Sequence, residues 1–400
     1  MKVAMIGTRG IPARYGGFET AVEQISTRLV QHGHEVVVYN RSGVNLYEEP
    51  LYEGVRLVRL PTYNSKHLAT IVHSALSTLH ATLRSDVEVV HYFTAGAGAL
   101  SFLPRLFGKR TVCSVDGLDW SRRKWGRFAR AYLKLSEQVV SRVADAIVTD
   151  SPPMATYYMD EYGRDTSMIA YGSNPVQRGS GGDWLEKFGL EPERYLLFVG
   201  RLVPEKNAHV LIDAFEKLDT DMKLVIVGDD PWGKDYIDSL KQRAGPRVVF
   251  TGYLYGDGCQ ALQANAYAFV LPGEVGGTPP VLLEAMGSGN CVLVSDTPSH
   301  RQTVGDAGLI YDLSQAETEL PETLAQLIAQ PELAAEYRIR AAERAAEQYR
   351  WDEVVRQHEA LYAQLLGNRD GGTTKDAGAT AVSAEEAIVR ERQRAASRSH

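Results

Sequence analysis

The chain has 400 residues, 44% hydrophobic and 23% charged, with a formal net charge of −7. That length exceeds what one hydrophobic core usually holds, so two domains are expected, and no apolar run approaches the roughly 18 to 20 residues that cross a bilayer. Residues 1–180 carry 21 Lys and Arg against 16 Asp and Glu, and the remainder 22 against 34, a division that argues against a nucleic-acid partner but leaves a basic front half able to face an acidic surface.

The opening MKVAMIGTRG holds one Lys and a short apolar run, which suits a buried strand better than a signal peptide, so a cytoplasmic protein is expected. Cys113, Cys259 and Cys291 are odd in number and widely spaced, which fits reduced core residues better than a disulfide framework or a zinc site. Short Val- and Ile-rich runs then alternate with longer helical patterns, the signature of parallel sheets covered by helices. A first series of strands is predicted near 2–6, 35–39, 55–60, 87–91, 111–115 and 145–149. A second is predicted at 195–200, 223–228, 247–250, 267–271, 291–295 and 307–312. Between them GSNPVQRGSGGD, residues 172–183, has the Gly, Ser and Pro density of a linker.

This reading gives an α/β protein of two Rossmann-like domains facing each other across a cleft, with boundaries 1–172, linker 173–190 and 191–350. WDEVVRQHEALYAQLL at 351–366 repeats Val354, Val355, His358, Leu361, Tyr362 and Leu365 at helical spacing and makes an amphipathic helix. Residues 369–400 read as a mobile tail with a short helix around AEEAIVRERQR.

Ligands of open parallel sheets bind outside the carboxyl ends of strands, and three segments fall there. In GTRGIPARYGGFETAVEQI, residues 7–25, Gly16 and Gly17 sit where a helix begins. Bare amides and the helix dipole could face an anion there, with Arg9 and Arg14 nearby; glycines required only by a tight turn are the alternative. The segment is neither a dinucleotide fingerprint nor a P-loop. In FVGRLVPEKN, residues 198–207, Arg201 and Lys206 could neutralise a leaving diphosphate without a metal, or simply form a solvated basic loop. In LPGEVGGTPPVLLEAMGSG, residues 271–289, Thr278 is the expected N-cap with Pro279 at the first helical position. Gly276 and Gly277 then bring backbone to the helix's positive end, and Glu284 could accept hydrogen bonds from a sugar diol or simply favour the dipole.

With these segments the chain resembles the family-4 glycosyltransferases of the GT-B fold over residues 1 to about 366, and GTRGIPARYGGFET is similar to a branch that includes bacterial rhamnosyltransferases. The resemblance implies retaining, metal-independent transfer of a sugar from a nucleoside-diphosphate sugar, with no further cofactor, to a glycan or lipid-linked acceptor in cell-surface polysaccharide synthesis. It makes Arg201 and Lys206 the diphosphate clamp and Glu284 the second glutamate of a paired-glutamate motif. It also implies that the 351–366 helix returns to the first domain. The position eight before Glu284 is Gly276, where the family usually has glutamate; Glu274 could substitute. In SVDGLDWSRRKW, residues 114–125, Asp116 stands where many relatives carry histidine, and it is cast as a positioner of sugar or acceptor before a general base. Tyr171, Gly172 and Asn174 match a family loop near the cleft, and Gly252 and Tyr253 in TGYL could read a nucleobase edge. Other readings are a UDP-hexose-dependent transferase, a nucleotide-sugar 2-epimerase and a non-catalytic scaffold. From Arg105 to Lys134 there are nine Lys or Arg and two acids, interleaved with Trp120, Trp125 and Phe128; such a segment suits peripheral contact with an anionic membrane at the inner leaflet, or a solvated helix.

Overall fold

The computed structural model describes residues 1–14, 16–63, 68–121, 126–174, 179, 181–230, 233–274 and 277–367. The first sheet contains β1 (Lys2–Ile6), β2 (Glu35–Arg41), β3 (Leu51–Tyr52), β4 (Val55–Leu60), β5 (Val89–Phe93), β6 (Arg110–Val115), β7 (Ala146–Thr149) and β8 (Ser167–Met168), and the second β9 (Tyr195–Val199), β10 (Lys223–Val227), β11 (Val248–Gly252), β12 (Ala268–Leu271), β13 (Cys291–Ser295) and β14 (Leu309–Tyr311). The order is β3-β4-β2-β1-β5-β6-β7-β8 in the first and β11-β10-β9-β12-β13-β14 in the second. All pairings are parallel except the short β3–β4 hairpin.

The covering helices of the first sheet are α1 (Gly17–Gln31), α2 (Leu68–Leu83), α3 (Phe102–Leu106), α4 (Arg127–Val143) and α5 (Pro152–Tyr162). Those that follow are α6 (Gly182–Lys187), α7 (Ala208–Glu216), α8 (Lys234–Arg243), α9 (Asp257–Asn265), α10 (Pro280–Gly287), α11 (Pro298–Val304), α12 (Ala316–Ala329), α13 (Pro331–Gln348) and α14 (Trp351–Gly367).

The alternating apolar runs become central strands with every residue buried, as in VVHYF of β5 and CVLVS of β13. Burying each large aliphatic side chain contributes about 1.5–3 kcal/mol, and parallel strands covered on both faces collect that gain twice over. Among the described residues one apolar cluster gathers around Ala4, Val37, Val90 and Ile147 and another around Leu197, Val225, Phe269 and Leu293. β3 and β8 were not anticipated, because two residues are too short to show a period of two. α6 occupies part of the segment read as a linker. The tail from 369 and its short helix lie outside the described residues.

The strand orders position the site. In the first sheet the chain reverses direction of growth at β1, which has β2 on one side and β5 on the other; in the second it reverses at β9, between β10 and β12. A reversal leaves the loops after those strands splayed, and the crevice outside their carboxyl ends is where such sheets take ligands. The loops concerned are 7–16 after β1, 200–207 after β9 and 272–279 after β12. Contacts between sequence-distant ends hold the chain together. Trp351 packs on Gly172, where a Cβ would stand 2.6 Å from its ring. Asp352 reaches Arg28 at 3.3 Å, and Glu359 Oε1 meets His32 Nδ1 and His34 Nε2 at 2.9 Å each. The opening turns of α14 therefore lie on the first domain.

Candidate functional site

The loop after β9 is braced by its own domain. Pro204–Lys206 forms one 3-10 turn, and Asn207 follows at φ +53, a left-handed conformation that asparagine tolerates better than most residues. Its Nδ2 donates to the Pro272 carbonyl at 3.1 Å, and the Glu274 amide donates to the Glu205 carbonyl at 3.2 Å. These two bonds lock the loops after β9 and β12 side by side. The Lys206 side chain consequently runs along Gly273, whose added Cβ would lie 3.5 Å from Lys206 Cδ. Beneath them Ser295 Oγ donates to the Gly273 carbonyl at 2.5 Å and meets His300 Nδ1 at 3.0 Å. Burial lowers the His300 pKa to about 4, with the Lys206 charge adding in the same direction. Arg201, at the start of the loop, is part-exposed.

The start of α10 differs from expectation. Thr278 is not its N-cap and Pro279 is not its first helical residue: Pro279 is the cap, at φ −75 and ψ 117, and the helix begins at Pro280. A residue before proline is pushed out of the helical region, so Pro280 holds Pro279 extended and delays the helix by one residue. Thr278 is thereby released towards the first domain. Its amide donates to Asp150 Oδ2 at 2.7 Å and its hydroxyl to the Asp150 carbonyl at 3.2 Å, while the Gly277 amide donates to the Asp116 carbonyl at 2.9 Å. Gly277 is required by this approach, because a Cβ would stand 2.1 Å from Asp150 Oδ2 and 2.3 Å from the Asp116 oxygen. Gly276 lies outside the described residues.

The start of α1 comes to the same place. Gly16 is the N-cap of α1 and Gly17 its first residue, and a Cβ on Gly17 would meet Pro280 Cγ at 2.9 Å. Two helix starts, one from each domain, therefore face the crevice. The 7–16 loop is held from behind: Asn40 Oδ1 accepts the Ile11 amide at 3.1 Å, and Glu19 accepts the Arg9 amide at 2.9 Å. Arg14 is exposed.

Burial sets the protonation of the acids. It raises the Glu284 pKa to about 7, with Gln263 beside the carboxyl opposing the shift. It raises Asp150 to about 6 against the opposing hydrogen bonds from Ser151 and Thr278. Tyr171, buried beside Asp116 and Asp150, is raised well above its ordinary value, by burial first and by those two charges second.

The sequence-derived residues thus fall into connected groups. Lys206 and Glu274 share one pair of loops, Asp116, Gly277 and Thr278 a second contact, and Gly16 and Gly17 adjoin Pro280. Glu284 lies one turn into α10. Gly252 ends β11 at φ +71, where an added Cβ would meet nothing within 4 Å, and the exposed Tyr253 ring stacks on Tyr255 at 5.7 Å. Gly172 serves Trp351 packing, and Asn174 bonds Arg28 and Gln24 at 3.0 Å each. Asp150, Asn207, Ser295 and His300 were missed. A signal existed for Asp150, a charged residue directly after a buried parallel strand.

Residues 15–177 match the family described as Glycosyltransferase Family 4, and residues 183–344 the family described as Glycosyl transferases group 1. The chain is a GT-B glycosyltransferase. The GDP-mannose-dependent alpha-(1-6)-phosphatidylinositol monomannoside mannosyltransferase of Mycolicibacterium smegmatis is 28% identical over 397 residues, covering 91% of this chain and 98% of the relative. Among solved structures, sucrose-phosphate synthase from Thermosynechococcus elongatus aligns with a TM-score of 0.77 at 21% identity, covering 92% of this chain and 99% of the neighbour. HepE from Anabaena, in complex with UDP-glucose, aligns at 0.73 and 18% identity, covering 92% and 100%. At these identities the two structures speak for the fold alone. The glycosyltransferase assignment sets aside the epimerase and scaffold readings.

Proposed function

We propose that this glycosyltransferase moves a sugar from a nucleoside-diphosphate sugar, with the diphosphate between the start of α1 and the loops after β9 and β12. Two observations carry the reading: the approach of Gly17 to Pro280, and the Lys206 side chain laid along Gly273 at the end of the neighbouring strand. A helix start such as that of α1 and a cation are what a departing diphosphate needs, since charge develops there as the glycosidic bond breaks. The donor's C1–O bond breaks, the acceptor oxygen bonds C1 on the same face, and the leaving phosphate takes the acceptor's proton, which gives retention without a metal and without a protein base. Arg201 and Lys206 stabilise the leaving group, Glu284 and Glu274 hold donor hydroxyls, and Asp116 orients sugar or acceptor. Gly252 and Tyr253 border the nucleobase.

For the donor, resemblance of the opening segment favours a rhamnosyl group; the mannosyltransferase relative keeps GDP-mannose beside it, and a UDP-hexose is the alternative. The acceptor we assign is a glycan or lipid-linked saccharide. Contact with an anionic membrane is supported by α4, which exposes Arg127, Arg130, Lys134 and Arg142 together with Leu135 and Phe128, the last 95% exposed. The acid of α4, Glu137, is buried and accepts from Tyr157 and Tyr162 at 2.7 Å each. Trp120 does not extend this face, because Lys134 Nζ covers its ring at 4.1 Å, and Trp125 lies outside the described residues. No helix among the described residues is long and apolar enough to cross a membrane.

The test is nucleotide release and thermal shift against dTDP-rhamnose, GDP-mannose, UDP-glucose, UDP-galactose and UDP-N-acetylglucosamine. One donor that is bound and cleaved in a Lys206-dependent way supports the reading. A melting curve that no donor shifts removes it.

A further inference from the structure

The proposed chemistry leaves Asp150 without a task, yet Asp150 is a carboxylate only 5% exposed at the carboxyl end of β7. Both its oxygens are engaged: Ser151 Oγ donates to Oδ1 at 3.0 Å, and the Thr278 amide donates to Oδ2 at 2.7 Å. Burying a carboxylate is costly unless its oxygens are satisfied, and here one of the satisfying donors comes from the other domain, 128 residues away.

What that donor is matters. Residues 279 and 280 are prolines and have no N–H, so Gly277 and Thr278 supply the last amides before Val281 at the head of α10. Both are turned into the first domain, Gly277 to the Asp116 carbonyl at 2.9 Å and Thr278 to Asp150. The head of α10 therefore offers these amides to the ends of β6 and β7. This differs from the sequence reading, in which the same backbone served the donor directly.

We propose that Asp150 is a positioning residue, a clasp that fixes the Gly277–Thr278 backbone to the first domain and so sets the cleft in which transfer occurs. This rests on the donor-site reading above. Asp150 acts through the loop and does not touch the sugar. Only residues 275 and 276 separate the clasped pair from Glu274, and Gly273 carries the Lys206 side chain. Holding residues 277 and 278 against Asp116 and Asp150 therefore fixes the distance between the cation side of the cleft and the Asp116 side. Misplacing reacting groups by about 1 Å can cost a hundredfold in rate, which is the scale on which such a clasp would be felt.

The experiment uses the full chain with three variants. Asp150→Ala removes the acceptor. Asp150→Asn keeps an amide oxygen that Thr278 N–H can reach. Gly277→Ala breaks the contact from the second domain by placing a methyl group on Asp150 Oδ2. The account predicts that Asp150→Ala and Gly277→Ala lower kcat roughly tenfold to a hundredfold with a smaller change in donor KM, and that Asp150→Asn stays within about threefold of wild type.

A second readout does not depend on any donor: the distance distribution between spin labels at Glu161→Cys and Lys241→Cys, exposed sites on α5 and α8. It should lengthen or broaden in Asp150→Ala and Gly277→Ala and not in Asp150→Asn. An unchanged distribution in the alanine variants overturns the clasp, as does an Asp150→Asn enzyme as slow as Asp150→Ala. If wild type cleaves no donor, the donor-site reading fails by itself, and the label distances still decide whether the clasp exists. If Asp150→Ala does not fold, Gly277→Ala with the Asn variant carries the same decision.

Discussion

The loops after β9 and β12 are built from the same parts, a buried strand, a short turn and a helix start, and they lie side by side, but they are anchored in opposite directions. The 200–207 loop is held within its own domain, through Asn207 to Pro272 at 3.1 Å and Glu205 to Glu274 at 3.2 Å. Its offering is side-chain charge, from Arg201 and Lys206. The 277–278 stretch is held by the other domain, through Asp116 and Asp150, and its offering is backbone. Removing side-chain charge from the first loop should leave the spacing of the domains unchanged. Backbone pinned across the cleft should be the element that reports closure.

The largest effect should come from removing charge. Lys206→Ala is expected to lower nucleotide release by roughly a hundredfold to a thousandfold, as loss of one stabilising group from a developing charge typically does, without changing the label distance between domains; a distance that changes would mean the two loops are not independent. Next comes the clasp, where Asp150→Ala and Gly277→Ala should cost less in rate but alter that distance.

A smaller effect concerns stability. Burial raises the Glu284 pKa to about 7 from its ordinary 4.5, so the folded state holds a proton that the unfolded chain has already lost between those values. Stability from this group is therefore greatest below about pH 4.5 and falls as pH rises towards 7. Glu284→Gln cannot titrate, so its melting temperature relative to wild type should rise by a few degrees between pH 5 and pH 8. Parallel melting curves across that range would contradict the burial assigned to the carboxyl. The smallest effect belongs to α4: the double variant Phe128→Ser, Lys134→Ser should weaken sedimentation with anionic vesicles severalfold and leave neutral vesicles unaffected. Equal sedimentation of wild type and variant would remove the membrane face.

The same contrast explains what the sequence could and could not disclose. The placement of Arg201 and Lys206 on the loop after β9 was legible because it follows from a strand and a helix a few residues away. The two sheets were legible for a similar reason, since runs such as YLLFV and CVLVS declare buried parallel strands by composition alone. The clasp was not legible, because Thr278 and Asp150 are 128 residues apart and only the packing of two domains brings them together. Thr278 even carried a local signal that pointed elsewhere: a Thr before two prolines reads as an N-cap, whereas the second proline holds the first extended and moves the helix start to Pro280. Asn207 fell between these cases. Its left-handed backbone is a local property, but its bond to Pro272 is set by β12 lying beside β9.

The central claim is that the cleft of this glycosyltransferase holds a nucleoside-diphosphate sugar through Lys206, and calorimetric titration of the donor panel into wild type and Lys206→Ala tests it most directly. The account predicts saturable binding of one donor to wild type and at least a tenfold loss of affinity in the variant, as removal of a charged hydrogen-bond partner should cause. Equal affinity of both proteins for that donor would contradict it.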